Sequence, residues 1–324
     1  MLKRRTVLAA TAGWTIVGAS AVRAQAWPSQ PVKIVVPYIP GGATDTAGRI
    51  VAEKMSALLG QQVIVENRGG GNTIIGMELV AKSKPDGHTL LLGTTTLATN
   101  AALGLKQPYD PLKDFQPIST LADIPDIVAV HPSVPAKTLA ELVDWLNKQP
   151  EKTRYGTSGV GNQPHLWAEL LRARLNMKME NVAYKGVADT LRDVLAGHVP
   201  IIIDVVLPTG NHVAAGRLNG IVVASPERST ICPNVPTVAE LGMKDMESAV
   251  FYGLVAPAGI PKPVLERLNA LCLETIKDTT VKKKFGDLGF FTTGSTPEAY
   301  LEKLKFETAR WTKVVKDNNI KIEG

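Results

Sequence analysis

The sequence predicts an α/β protein built as two similar lobes, and three observations predict it. Strand-like apolar runs alternate with helix-period segments along the chain beyond residue 24, the pattern of layered α/β folds. The 324 residues are enough for about two domains of roughly 150 residues each. The turn Pro40–Asp45, between a strand and a helix in the first half, has a polar, glycine-containing counterpart at Tyr155–Asn162 in the second.

The elements follow in order. Val32–Val36 reads as a strand that stops at the turn Pro37-Tyr38-Ile39-Pro40-Gly41-Gly42, and Asp45 opens a helix whose apolar face runs through Ala47, Ile50, Val51, Met55 and Leu58. Residues 62–66 form a second strand, 75–81 a helix after Arg68-Gly69-Gly70-Gly71-Asn72, and 89–93 a third strand after Pro85-Asp86-Gly87. This β-α-β-α-β order is that of a parallel sheet. In the second half, strands are expected at 127–130, 154–156, 182–184, 201–206 and 218–224, with helices at 139–146, 165–175 and 188–196. An extended segment at 251–256 and helices at 263–276 and 300–315 complete the chain.

Composition excludes several classes. At 44% hydrophobic and 20% charged residues the chain is not disordered, and two cysteines do not make a disulfide scaffold. Residues 1–24 read as an export signal: Lys3, Arg4 and Arg5, a short apolar stretch, then small residues at 22 and 24. Arg4-Arg5 also resembles a twin-arginine signal, but the ordinary Sec type is favoured. Without the four basic residues of this segment, 32 basic residues stand against 30 acidic, so nucleic-acid binding has little electrostatic support. The expected location is the periplasm. Cys232 and Cys272 are read either as a pair or as two buried thiols.

The two turns carry the site chemistry. Pro40, Gly41, Gly42, Thr44 and Asp45 lie where a strand gives way to a helix, whose free N–H groups favour a carboxylate or phosphate; Asp45 is read equally as a helix cap. Tyr155–Asn162 repeats the arrangement with Thr157, Ser158 and Gly159, and His165 follows at a helix start. Neither turn has dinucleotide, P-loop or nucleophile-elbow spacing. The five histidines show no metal-ligand spacing, so no metal and no cofactor are expected. Asp204, inside an apolar strand, either lines a cleft or bonds loop backbone.

Taken in order, the motifs resemble those of the periplasmic substrate-binding proteins of tripartite tricarboxylate transporters, the Bug group. They are Pro40-Gly41-Gly42 with Asp45, Glu66-Asn67-Arg68, Lys84-Pro85-Asp86-Gly87, Tyr109-Asp110-Pro111, Ser158-Gly159 with His165-Leu166, Tyr184-Lys185-Gly186 and 233–240. The resemblance implies a two-lobed clamshell of the type II-like kind, each lobe a mostly parallel sheet flanked by helices, joined by two crossover strands. Two loops would grip a ligand carboxylate, with Tyr38, Lys185, Gly186 and Asp204 joining the residues above. Pro164, Ala183 and Ile203 depart from the family pattern near the expected cleft.

Lobe one is expected at 25–125 plus 247–324, and lobe two at 126–246. The expected partners are a small organic acid and membrane transporter subunits or a sensor, with the chain acting as a monomer. Two alternatives stand beside this reading: a secreted hydrolase using Ser158 and His165, and a scaffold that kept the clamshell but not the ligand.

Overall fold

The computed structural model describes residues 27–184 and 186–320. The export signal expected over 1–24, and Lys185, lie outside the described residues.

Strand β1 (Val32–Val36) is buried at four of its five positions, as suits a strand with helices on both faces. It pairs in parallel with β2 (Val63–Asn67) and β3 (Thr89–Thr94). Helix α1 (Ala43–Leu59) links β1 to β2 and ends at Gly60, whose φ of 62° places it in the left-handed region that glycine tolerates. Helices α2 (Ile74–Ala81) and α3 (Thr96–Ala102) flank β3. Strand β4 (Phe115–Val130) then runs for 16 residues.

The second half repeats the construction with α4 (Leu139–Asn147), β5 (Thr153–Thr157), α5 (Gln163–Leu175), β6 (Met179–Ala183), α6 (Val187–Leu195) and β7 (Ile201–Val205). A reciprocal capping box between Thr138 and Glu141 starts α4. Helix α7 (Val206–Ala214) and β8 (Asn219–Val223) follow, and β9 (Ala249–Pro257) returns to the first half. The chain closes with α8 (Lys262–Lys277), α9 (Thr279–Asp287), the short β10 (Phe291–Thr292) and α10 (Pro297–Asp317).

The strand order is β2-β1-β3-β9-β4-β7-β5-β6, with β8 and β10 also paired to β4. Strand β4 pairs with β9 from Phe115 to Pro125, then with β7 and β8 from Asp126 onward. Parallel pairing is confined to the outer strands; β3–β9, β4–β9, β4–β7, β4–β8 and β10–β4 are antiparallel. The sheet is therefore mixed rather than mostly parallel, because β4 carries the chain out of the first half and β9 brings it back.

Sequence periodicity misses α3, α7, α9, β10 and the first part of β4. Pro117 and Pro125 argue against a strand there. Pro117 sits at a register shift to Ser119 and a second shift lies between Thr120 and Ala122, while Pro125 pairs with Ala249 in register.

Two large cores form. One gathers Ile34, Met55, Leu90, Leu254 and Leu271; the other Val128, Tyr155, Trp167, Leu171 and Ile203. Helix α10 serves both halves. Its Trp311 and Val314 join the second large core, while Tyr300 and Leu304 pack with Val35, Leu91 and Phe251. Cys232 and Cys272 are buried and unpaired. Among the described residues, no helix is long and apolar enough to cross a membrane, and no cluster of three or more His, Cys, Asp or Glu side chains could hold a metal.

Candidate functional site

A cleft of about 750 Å³ lies between the two halves, lined from one side by the turns after β1 and β3 and from the other by the starts of α5, α6 and α7. Strand ends facing a crevice are where α/β folds place ligands.

On the first side, Gly42 is the N-cap of α1, and no side chain caps the helix. Gly42, Ala43 and Thr44 line the cleft, so the first-turn N–H groups of α1 face it without a competing acceptor. The loop before them is braced by Asp45. Its Oδ2 accepts from the Gly41 N–H at 2.9 Å and from Arg49 Nε at 3.0 Å, and its Oδ1 accepts from Asn67 Nδ2 at 2.9 Å. Burial pushes the Asp45 carboxyl upward, but these bonds outweigh it and hold its pKa below the usual range. Asp45 thus neither caps α1 nor lines the cleft; it fixes the Gly41 backbone, whose φ is 87°.

Hydroxyls continue the wall. Tyr38 Oη, Thr94 Oγ1 and Thr96 Oγ1 form a chain with contacts of 3.0 and 2.8 Å, and Thr44 Oγ1 lies 3.5 Å from Tyr252 Oη. Thr95 and Thr99 are 3% and 2% exposed and line the cleft. Asn72 Nδ2 donates to Asn100 Oδ1 at 2.8 Å.

On the second side, α5 carries a side-chain cap while α6 starts at Gly186 without one, and Gly186 and Val187 line the cleft. Asn162 caps α5, its Oδ1 accepting from the His165 N–H at 2.9 Å while its Nδ2 donates to Ser158 Oγ at 2.8 Å. The Ser158 N–H donates to Asp204 Oδ2 at 2.8 Å, and the Val205 N–H to Asp204 Oδ1 at 2.9 Å. Burial raises the Asp204 pKa against these bonds. The Gly161 N–H donates to His165 Nδ1 at 2.9 Å. Thr157, fully buried, accepts from Asn181 Nδ2 at 3.0 Å.

Of the expected residues, Tyr38, Gly42, Thr44, Ser158, Gly186 and Asp204 line the cleft. Pro40, Gly41, Asp45, Thr157, Gly159 and His165 do not; they shape or brace the loops behind it. Lys185 lies outside the described residues. Sequence reasoning missed Thr95, Thr96 and Thr99, Gln163, and the apolar group Val187, Val205, Leu207, Pro208 and Val250. One signal was available: Thr95-Thr96 follows β3 as Pro40–Thr44 follows β1, at the same end of a parallel strand.

Ser158, His165 and Asp204 do not form a relay. An imidazole that accepts an N–H at Nδ1 carries its own hydrogen on Nε2, whereas a relay needs Nδ1 to donate to the carboxylate and Nε2 to accept from the serine. Asp204 instead accepts from backbone N–H groups.

A family model described as "Tripartite tricarboxylate transporter family receptor" matches residues 47–320. Protein BugT of Bordetella pertussis is 31% identical over 307 residues, 94% of each chain. Two solved structures from Rhodopseudomonas palustris are similar throughout. One, described with adipate, is 31% identical with a TM-score of 0.79, covering 91% of this chain and 99% of its own. The other, MatC with bound malate, is 29% identical with a TM-score of 0.74, covering 89% and 100%.

Proposed function

Since the chain belongs to the tripartite tricarboxylate transporter family of receptors, we propose that it captures a small carboxylate in the cleft between its halves and delivers it to membrane transporter subunits. The observation that carries this reading is the uncapped start of α1 facing the cleft beside Thr44, Thr95 and Thr99. Backbone N–H groups at a helix start hold a carboxylate without a charged side chain. The adipate and malate bound by the two Rhodopseudomonas palustris relatives support the ligand class.

In this reading residues 25–125 with 247–324 form lobe one and 126–246 lobe two, closing on the ligand by bending where β4 exchanges β9 for β7 and β8. Export through the segment 1–24 delivers the protein to the periplasm, where it acts as a monomer without catalysing a reaction.

A thermal-shift screen tests the proposal. At a hundredfold excess over Kd a carboxylate stabilises the protein by about 2.7 kcal/mol. Stabilisation by organic acids but not by sugars or metal ions supports the reading; stabilisation by sugars or metals alone overturns it. Turnover of the acid, or of an ester of it, would favour the hydrolase instead.

A further inference from the structure

A second cavity, of about 400 Å³, lies on the reverse of the sheet from the cleft and shares no lining residue with it. Side chains alternate across a strand. In β9, Val250 and Tyr252 line the cleft, whereas Ala249 lines the second cavity with Pro125 of β4, its partner in register, and with Asp123. The remaining wall comes from the turn after β8, from β10 and from α10. The cavity thus sits where the chain crosses between the halves, and it falls in the size range of small-molecule sites.

Its lining is charged and unbalanced. Lys303, Glu307 and Arg310 recur at helical spacing, so one face of α10 turns all three toward the cavity. Lys303 Nζ donates to Asp123 Oδ2 at 2.9 Å and lies 4.9 Å from the centre of the Phe251 ring. Arg310 donates to the Glu247 carbonyl at 2.9 Å and stands 3.8 Å from Glu307 Oε1. With those two pairs made, the carboxylates of Glu227 and Glu247 are left without an ion pair among the described residues. Asp123 Oδ1 and Thr293 Oγ1 are buried in the wall without hydrogen-bond partners among the same residues. Burial raises the carboxyls of Asp123 and Glu307, and the neighbouring Lys303 and Arg310 offset this only in part. The site is short of positive charge. Among the described residues no three acids converge as a metal ion would require, while Pro125, Ala249 and Phe291 offer apolar surface to a hydrocarbon stem.

We propose that this cavity is a second ligand site, independent of the cleft, that takes a small organic cation. Its ammonium group sits among Glu227, Glu247 and Glu307, and its stem lies against Pro125, Ala249 and Phe291.

Calorimetric titration with cadaverine, a five-carbon diamine, tests this, with the diol of the same carbon chain as the uncharged control. Cadaverine binds saturably at one site per chain, and the diol binds about tenfold or more weaker. Glu227→Gln combined with Glu247→Gln breaks no ion pair and leaves the melting temperature unchanged, yet weakens cadaverine by about tenfold. Three results would each overturn the proposal: no saturable binding, a diol that binds as tightly as the diamine, or undiminished affinity in the double variant. The last would place the amine elsewhere, as at Asp204 in the cleft.

Discussion

The side-chain amide of Gln163 donates to Oδ2 of Asp126 across 2.6 Å, tying the cleft wall to the residue at which β4 passes from β9 to β7. The same amide bonds Ser248, one residue before β9, so a single side chain holds both crossover segments. Asp126 is 0% exposed, and its Oδ1 and Gln163 Oε1 are buried without partners among the described residues. Burial drives the Asp126 pKa well above the ordinary carboxyl value, opposed by its bonds to Gln163 and Ser248; Asp204 adds to the rise and Arg310 opposes it.

A carboxyl that stays protonated in the fold but ionises in the unfolded chain contributes stability that is complete below the unfolded pKa. That stability is lost as pH rises through the folded pKa. Asp126→Asn keeps the shape, stays neutral and offers a donor to Gln163 Oε1. Denaturant melts from pH 4 upward should show wild type losing stability relative to Asp126→Asn, with a slope of at most about 1.4 kcal/mol per pH unit. A variant less stable than wild type at pH 8 contradicts the neutral-acid account.

His165 titrates in the opposite sense. Burial lowers its pKa, with Glu169 opposing, so the neutral ring belongs to the folded state. Its contribution is present above about pH 6.5 and is lost as pH falls through the lowered folded value. His165→Ala leaves the buried Gly161 N–H without an acceptor and should cost about 1–3 kcal/mol. His165→Asn, which returns an acceptor, should recover part of this and flatten the pH profile. Equal melting temperatures for all three proteins would show that the bond carries no stability.

Both glycines expected to cradle a ligand can be tested, and they should part company. A Cβ on Gly42 meets nothing within 4 Å and its φ is −81°, so Gly42→Leu should fold at a cost of at most about 1 kcal/mol while filling the cleft mouth. Gly159 lies off the cleft, its Cβ position 3.7 Å from Asn162 Nδ2, so Gly159→Leu should leave affinity within about twofold. Loss of binding in Gly159→Leu alone would return the grip to the second loop.

Burial pushes the Cys272 thiol up to about 12 and raises that of Cys232. Neither thiol should react with iodoacetamide in the native protein, and both should react after unfolding. An intact mass two hydrogens lower, or a melting temperature that falls on reduction, would reveal a disulfide.

The sequence made the alternation of elements and the turn after β1 legible because each rests on local signals: periodicity, glycine and the end of a strand. The mixed centre of the sheet was not legible, since the partners of β4 are separated from it by up to about 170 residues and Pro117 and Pro125 disguise the strand. Gly42 and Thr44 could be placed from their own neighbourhood. Thr99, Leu207 and Val250 reach the cleft only through tertiary folding, so no local pattern marked them. His165 was recognisable as belonging to the second turn, but its role depends on where Nδ1 points, and that is set by the Gly161 backbone.

The most direct measurement is a calorimetric titration of the organic acid that most raises the wild-type melting temperature into wild type and Gly42→Leu under identical conditions. The account predicts one site per chain in wild type and at least a tenfold loss of affinity in Gly42→Leu, with the two proteins melting within a few degrees of each other. Undiminished binding in Gly42→Leu, with the leucine confirmed in place, would contradict it, because the acid would then be held somewhere other than the start of α1.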